Sequence, residues 1–195
     1  MVQIIMVRQP WNLGNMADIN WVNGPGTTYT YEMSSLTPAV GSATTNSHDE
    51  NDATFYAQNG FGYPPAWVYG YMLVKATFAK PITMISIRAL HAEGAVWTTS
   101  GGGSQDWILQ YQIGEGGWST QGSGVQLTAW DAPRNDSYAG LKIKDVTAVQ
   151  VHTNISWVNY HMFPFVPGFA WQYIYELSAF GHLETSSTIF FGCNT

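Results

Sequence analysis

Cysteine is almost missing from this chain: Cys193 is the single one among 195 residues, so no intramolecular disulfide can form, and no Cys/His spacing fits a zinc site. Stability must come from packing or assembly. Charge is scarce as well, at 10% of positions, and Lys plus Arg total 7 against 13 Asp plus Glu. A chain of net charge -6 has no cationic surface to release counterions from a phosphate backbone, which excludes nucleic acid and anionic lipid as partners. No run approaches the roughly 18 apolar residues of a membrane helix. The longest apolar stretches are broken by Lys75, Lys80, Arg88 and His91, so no membrane insertion is expected. The apolar start, Met1 to Arg8, is short, has no basic residues ahead of it and no small-residue cleavage site, so no signal peptide is expected. Catalytic signatures are missing too: there is no Gly-x-Ser-x-Gly elbow, no His-Glu-x-x-His, no phosphate-cradling loop and no dinucleotide fingerprint. A non-catalytic protein is expected. A glycoside hydrolase using carboxylates among Glu93, Asp106, Glu115, Asp131 and Asp136 is the enzymatic alternative.

What the chain has is aromatic and turn-forming. Nine Trp, 11 Tyr and 9 Phe exclude disorder, and 20 Gly and 9 Pro among many Thr, Ser and Asn suit short strands and turns. All-β is the expected class. Two-residue alternation places strands along the chain, because it sends one set of side chains to a core and the other to water. Met72, Val74, Ala76 and Phe78 alternate with Lys75 and Thr77 up to a Lys80-Pro81 corner. Ile85, Ile87 and Ala89 follow, read as the hairpin neighbour of that strand. Trp107, Leu109, Tyr111 and Ile113 lead to the glycine-rich turn 114–117, and Trp118 begins the return. Val149 and Val151 form another strand, and Trp171, Tyr173, Tyr175, Leu177 and Ala179 are read as one inward set near the end. A sandwich of two sheets closes such a set economically. No 20 to 50 residue repeat occurs, which argues against propellers and solenoids. Three stretches, 91–105, 130–140 and 153–170, read as long loops, the usual place for binding residues.

Several of these segments together resemble a known family. Asp49-Glu50-Asn51-Asp52-Ala53-Thr54-Phe55-Tyr56 resembles an acidic turn followed by Thr and an aromatic. Trp67 with Met72 to Pro81 resembles an aromatic and then a strand, Ala-Lys-Pro corner and strand. Trp107 to Gln112 with Gly117-Trp118-Ser119-Thr120 resembles the next strand, turn and Trp-Ser/Thr pattern. Val149 to His152 and Tyr175-Glu176-Leu177-Ser178-Ala179-Phe180-Gly181 resemble the last core strands. In order and spacing, Asp49 to Leu183 is similar to a discoidin-type (coagulation factor 5/8 C-terminal-like) domain. The resemblance implies a galactose-binding-like jelly-roll β-sandwich over residues 48–183, with residues 1–47 as an N-terminal arm or accessory strands and 184–195 as a C-terminal tail. The chain departs from the family in lacking the cysteine pair that often staples it.

Within that frame, Asp49, Glu50 and Asp52 offer hard oxygen ligands at close spacing and are the candidate calcium ligands, against the alternative of a solvated acidic turn. Aromatic faces suit the apolar C–H patches of a pyranose, while His, Glu and Asn supply directed hydrogen bonds to its hydroxyls. The resemblance implies that His91 and Glu93, and the loop around Trp157 to His161, lie at the ligand-bearing end. The expected ligand-binding set is therefore His91, Glu93, Trp97, Asn154, Trp157, Tyr160 and His161, with rings that fill core as the competing reading. His152, on a strand, is expected to be structural. The expected function is a carbohydrate-binding or attachment module, bound to a glycan or glycoprotein and raised in affinity by homo-oligomerisation. The apolar termini, Val2, Ile4, Ile5 and Val7 and then Ile189, Phe190 and Phe191, can pair with neighbouring sheets, which fits a virion-surface or extracellular assembly. A purely structural capsid, spike or filament subunit is the alternative.

Overall fold

The computed structural model describes residues 18–33, 37–38, 42–62, 66–96, 101–126, 133–159 and 168–183. Among them are nine strands: β1 (Ile19–Asn20), β2 (Thr28–Met33), β3 (Thr37–Pro38), β4 (Tyr56–Gly62), β5 (Ala66–Val96), β6 (Gly101–Ile113), β7 (Trp118–Gln126), β8 (Arg134–Asn159) and β9 (Gly168–Leu183). Two short 3₁₀ turns, Trp21–Asn23 and Thr44–Ser47, are the helical content of this set. Every strand pair is antiparallel.

Two very long strands organise the fold. β5 and β8 pair along almost their whole lengths, from Ala66↔Asn159 to His91↔Arg134, with register shifts between Thr77 and Ser86. Bulges bend a ribbon, and a bent two-stranded ribbon wraps back on itself. Before the bend, β5 lies between β2 and β8, and β8 continues the layer to β6 and β7. Beyond it, β5 lies between β8 and β9, and β9 continues to β4 and β3. The two layers face each other across one core. Met72, Val74, Ala76, Leu109, Val149 and Val151 from the first layer belong to the same buried cluster as Met84, Ile87, Ala89, Ile174, Leu177 and Ala179 from the second. The result is the expected jelly-roll sandwich.

The expected strands survive with three corrections. First, 72–78 and 85–90 are not hairpin partners. Pro81 lacks a ladder donor and sits at the corner of one continuous strand, which crosses from layer to layer instead of turning back. Second, the bulges shift phase. Met84 is buried and Ile85 only half-buried, and Tyr175 is the extra residue between Leu90↔Glu176 and His91↔Ile174, so Gln172 and Ile174 point inward while Tyr173 and Tyr175 lie half-exposed. Third, the loops are shorter than read: β5 runs to Val96, β6 begins at Gly101, β8 begins at Arg134 and ends at Asn159, and β9 begins at Gly168. Residues 19–47, read as an arm or accessory strands, supply β1, β2 and β3, which pair with β9, β5 and β4 rather than with one another. The apolar segments at 2–7 and 189–191 lie outside the described residues.

Candidate functional site at the rim of the sandwich

The register fixes where the connections lie. In the first layer, Ala66, Gly101 and Gln126 lie at or near the level of Asn159; in the second, Gly62, Val96 and Gly168 lie together, with Arg134 beside His91. Because the bend of β5 joins the opposite ends of both layers, these strand ends share one pole. The connections they border, 63–65, 97–100, 127–133 and 160–167, therefore start and finish at a common rim. Trp97, Tyr160 and His161 fall in these connections, outside the described residues. Glu93 and Trp157 stand on strands that border the rim, opposite Gln172 and opposite Val68 and Gly103 respectively.

Beneath the rim the core changes chemistry. Deeper layers are apolar, yet Gln58, Gln172, Thr153 and His91 have no exposed surface. Gln58 Nε2 donates to the Tyr71 carbonyl at 2.9 Å and to Gln172 Oε1, and Gln172 Nε2 donates to Thr153 Oγ1 at 2.9 Å. Gln58 and Gln172 belong to the second layer, Tyr71 and Thr153 to the first, so the chain of amides joins the sheets. Trp107 of the first layer makes a second link: the His91 ring lies 4.9 Å from its ring and the Arg134 guanidinium 5.4 Å over it, while His91 Nε2 lies 3.0 Å from Asp136 Oδ2 within the second layer.

The His91 ring, expected at the ligand-bearing end, has no exposed surface and stands as an internal brace beneath it. Asn154 is half-buried between Tyr71 and Asp106 in the ladder. His152, two residues before it, stands edge-on to Tyr71, and burial lowers its pKa, with the Asp106 carboxylate acting against that shift.

The acidic turn 49–54 is built by its own side chains. Asp49 accepts from Thr54 Oγ1 at 2.7 Å and from the Asn51 amide at 3.0 Å, and Asn51 accepts from the Ala53 amide. Glu50, at φ 61°, accepts from Asn20 and Asn23, while Asp52 pairs with Arg88 at 2.6 Å. Among the described residues no three His, Cys, Asp or Glu side chains form a ready metal group. One carboxylate that the sequence reading passed over lies under this turn. Glu176 is 2% exposed; its Oε2 accepts the Glu50 amide at 3.1 Å, and its Oε1 is buried with no partner. Burial pushes its pKa up to about 7, the Glu50 amide and Arg88 oppose the rise, and Asp49 and Asp52 add to it.

Beside the turn, His48 stacks on Tyr29 with centroids 4.1 Å apart and lies 2.7 Å from Tyr31 Oη and 3.2 Å from Asn23 Oδ1. Burial lowers the pKa of His48, and burial with the neighbouring Tyr29 and Tyr56 pushes Tyr31 up to about 12. This neutral network docks β2 and the first 3₁₀ turn against the second layer.

Sequence reasoning missed Gln58, Thr153, Gln172 and Glu176, and named Asp136 only among the carboxylates of the enzymatic alternative. Gln172 carried a signal in its two-residue spacing from Ile174, but the bulge at Tyr175 hid the phase. Glu176 carried none.

No protein-family model matches the chain, and no curated protein matches it. Its backbone is similar to several solved structures. One is the F5/8 type C domain of a Bacteroides fragilis protein, at 11% identity and a TM-score of 0.40, covering 88% of this chain and 99% of that one. Another is TmCBM61 in complex with beta-1,4-galactotriose, at 11% identity and a TM-score of 0.42, covering 84% and 99%. A third is CBM32-3 from a family 31 glycoside hydrolase of Clostridium perfringens, at 10% identity and a TM-score of 0.43, covering 87% and 97%. The sandwich itself rests on strand pairing and the shared core.

Proposed function

We propose that this protein is a non-catalytic carbohydrate-recognition module that binds a glycan at the rim. The observation that carries this reading is that the strand ends bordering four connections share one pole, next to a part of the core that is polar and buried. Those connections and the strands bordering them contain Trp97, Trp130, Trp157, Tyr160 and His161, the residue types that stack on pyranose faces and bond their hydroxyls. Glu93, Asn154 and His161 supply the directed bonds, and His91 acts from beneath. Saturable retention on an immobilised panel of neutral and acidic oligosaccharides supports the reading, with Trp157→Ala weakening it about tenfold or more at unchanged melting temperature. Absence of saturable retention, even for a multimerised protein, removes it.

β1 pairs with the end of β9, and Asp18 Oδ1 lies 3.0 Å from His182 Nδ1. This place lies at the pole opposite the rim. We extend the reading to an assembly, on a virion or another extracellular surface, that holds the protein by this pole and presents the other. Weak single sites then gain strength by repetition.

A calcium ion at the acidic turn belongs to the same proposal, with a changed donor set. Glu50 and Asp52 are committed to Asn20, Asn23 and Arg88. Asp49 and the Thr54 hydroxyl are bonded to each other and to Asn51, so the buried Glu176 Oε1, which has no hydrogen-bond partner, is the oxygen under the turn left for a hard cation.

A further inference from the structure

The buried amide chain under the rim is chemically out of place. At the same depth a few residues away the core uses Met72, Val151, Ile174 and Leu109, all without exposed surface. Burying amides and a hydroxyl there instead of aliphatic groups costs desolvation that hydrogen bonds only offset, so packing alone does not account for them. Directed bonds differ from apolar contacts in fixing one geometry.

That geometry is particular. Gln58 and Gln172 face each other across β4 and β9, four rows below the Gly62↔Gly168 pair that borders the rim. Gln58 takes the carbonyl of Tyr71, one residue beyond the Met33↔Met72 pair where the described pairing of β2 stops. Gln172 takes Thr153, which is paired with Met72 and Trp107. Each amide therefore ties the second layer to a different strand of the first. Four rim-bordering strands, β4, β5, β8 and β9, are fastened at one level, a few residues below the connections 63–65 and 160–167.

We propose that Gln58, Gln172 and Thr153 are positioning residues, which lock the spacing and register of the two sheets beneath the rim and so hold the strand ends that border it in one arrangement. This deepens the recognition reading and rests on it only for the effect on ligand. The test uses the full chain and the triple substitution Gln58→Leu, Thr153→Val and Gln172→Leu, which removes all three polar groups together and orphans no side chain within the chain of amides. Replacing a satisfied buried network by apolar groups of similar shape leaves the melting temperature equal or higher. Hydrogen exchange of backbone amides at 59–62, 155–159 and 168–171 should nevertheless accelerate about fivefold or more, while that of 110–112 and 119–121 stays unchanged. Exchange that is unaltered at the rim, or that shifts uniformly across the molecule, overturns the proposal.

Should the triple variant fail to fold, the pair Thr153→Val and Thr153→Ser decides: the valine must accelerate rim exchange and the serine, which keeps the hydroxyl, must restore it. Retention on the oligosaccharide panel is the second readout, expected to fall about fivefold or more in the triple variant. Failure of the wild-type chain to bind any glycan counts against the recognition reading alone, because the exchange result judges the positioning role by itself.

Discussion

At the scale of single residues, Glu176 is the side chain whose environment departs furthest from its chemistry. A carboxylate with one oxygen bonded to a backbone amide and the other buried without a partner is held near its proton, since burial penalises the charge. A cation supplied by the medium removes that penalty, and it stabilises the fold because it binds the folded chain and not the unfolded one. Melting in millimolar calcium should therefore exceed melting in chelator by several degrees, and Glu176→Gln should abolish most of the difference. Identical melting temperatures in both buffers would rule the ion out. Nothing in the sequence marked this residue: it stands in an alternating polar position of a strand, where a solvated acid is the ordinary expectation. The acidic turn itself was legible, as Asp49 to Thr54, but which of its carboxylates are spent on protein donors depends on Asn20, Asn23 and Arg88, far away in the chain.

At the scale of elements, the strands that pack by simple alternation were readable and the bulged ones were not. Met72, Val74, Ala76 and Phe78 are all buried, as their spacing requires, and Trp107 and Leu109 are buried while Ile113 reaches the exposed end of β6. Phase fails where an extra residue enters, at Met84 to Ser86 and at Tyr175, because a bulge leaves no mark in hydrophobicity. The hairpin expected across Pro81 failed for a related reason: a proline corner ends a ladder equally well in a turn and in a strand that changes layers. The second layer depends on close backbone approach at one such corner. A Cβ on Gly181 would stand 2.2 Å from the Thr83 carbonyl oxygen, an atom that cannot rotate away, and the Gly181 carbonyl itself accepts from Trp21 Nε1 at 2.9 Å. Gly181→Ala should cost about 2–4 kcal/mol in denaturant unfolding. Gly117→Ala, where nothing lies within 4 Å, serves as the control and should stay within about 0.5 kcal/mol. Equal effects would mean that β5 and β9 do not approach as closely as described.

At the scale of the whole molecule, the two poles differ in kind. One gathers the strand ends that border four connections, next to a buried polar floor, and the other receives β1 and the end of β9 side by side. Composition and alternation sufficed to anticipate two facing layers, and the aromatic wealth of the connections pointed to the rim. What stayed hidden was the floor, since Gln58, Thr153 and Gln172 come from three distant strands whose meeting is a property of the closed fold. If the pole opposite the rim carries assembly, the full chain should sediment as an oligomer and the chain trimmed of residues 1–10 and 184–195 as a monomer. A monomeric full chain would separate recognition from assembly.

The central claim is that ligand meets this molecule at the rim, and mapping amide chemical shifts in the isotope-labelled full chain, during titration with an oligosaccharide retained from the panel, tests it most directly. The account predicts saturable shifts confined to 59–62, 93–96, 101–105 and 155–159. Shifts centred on the turn 114–117 and the β8 corner around Asp145, at the other pole, would contradict it.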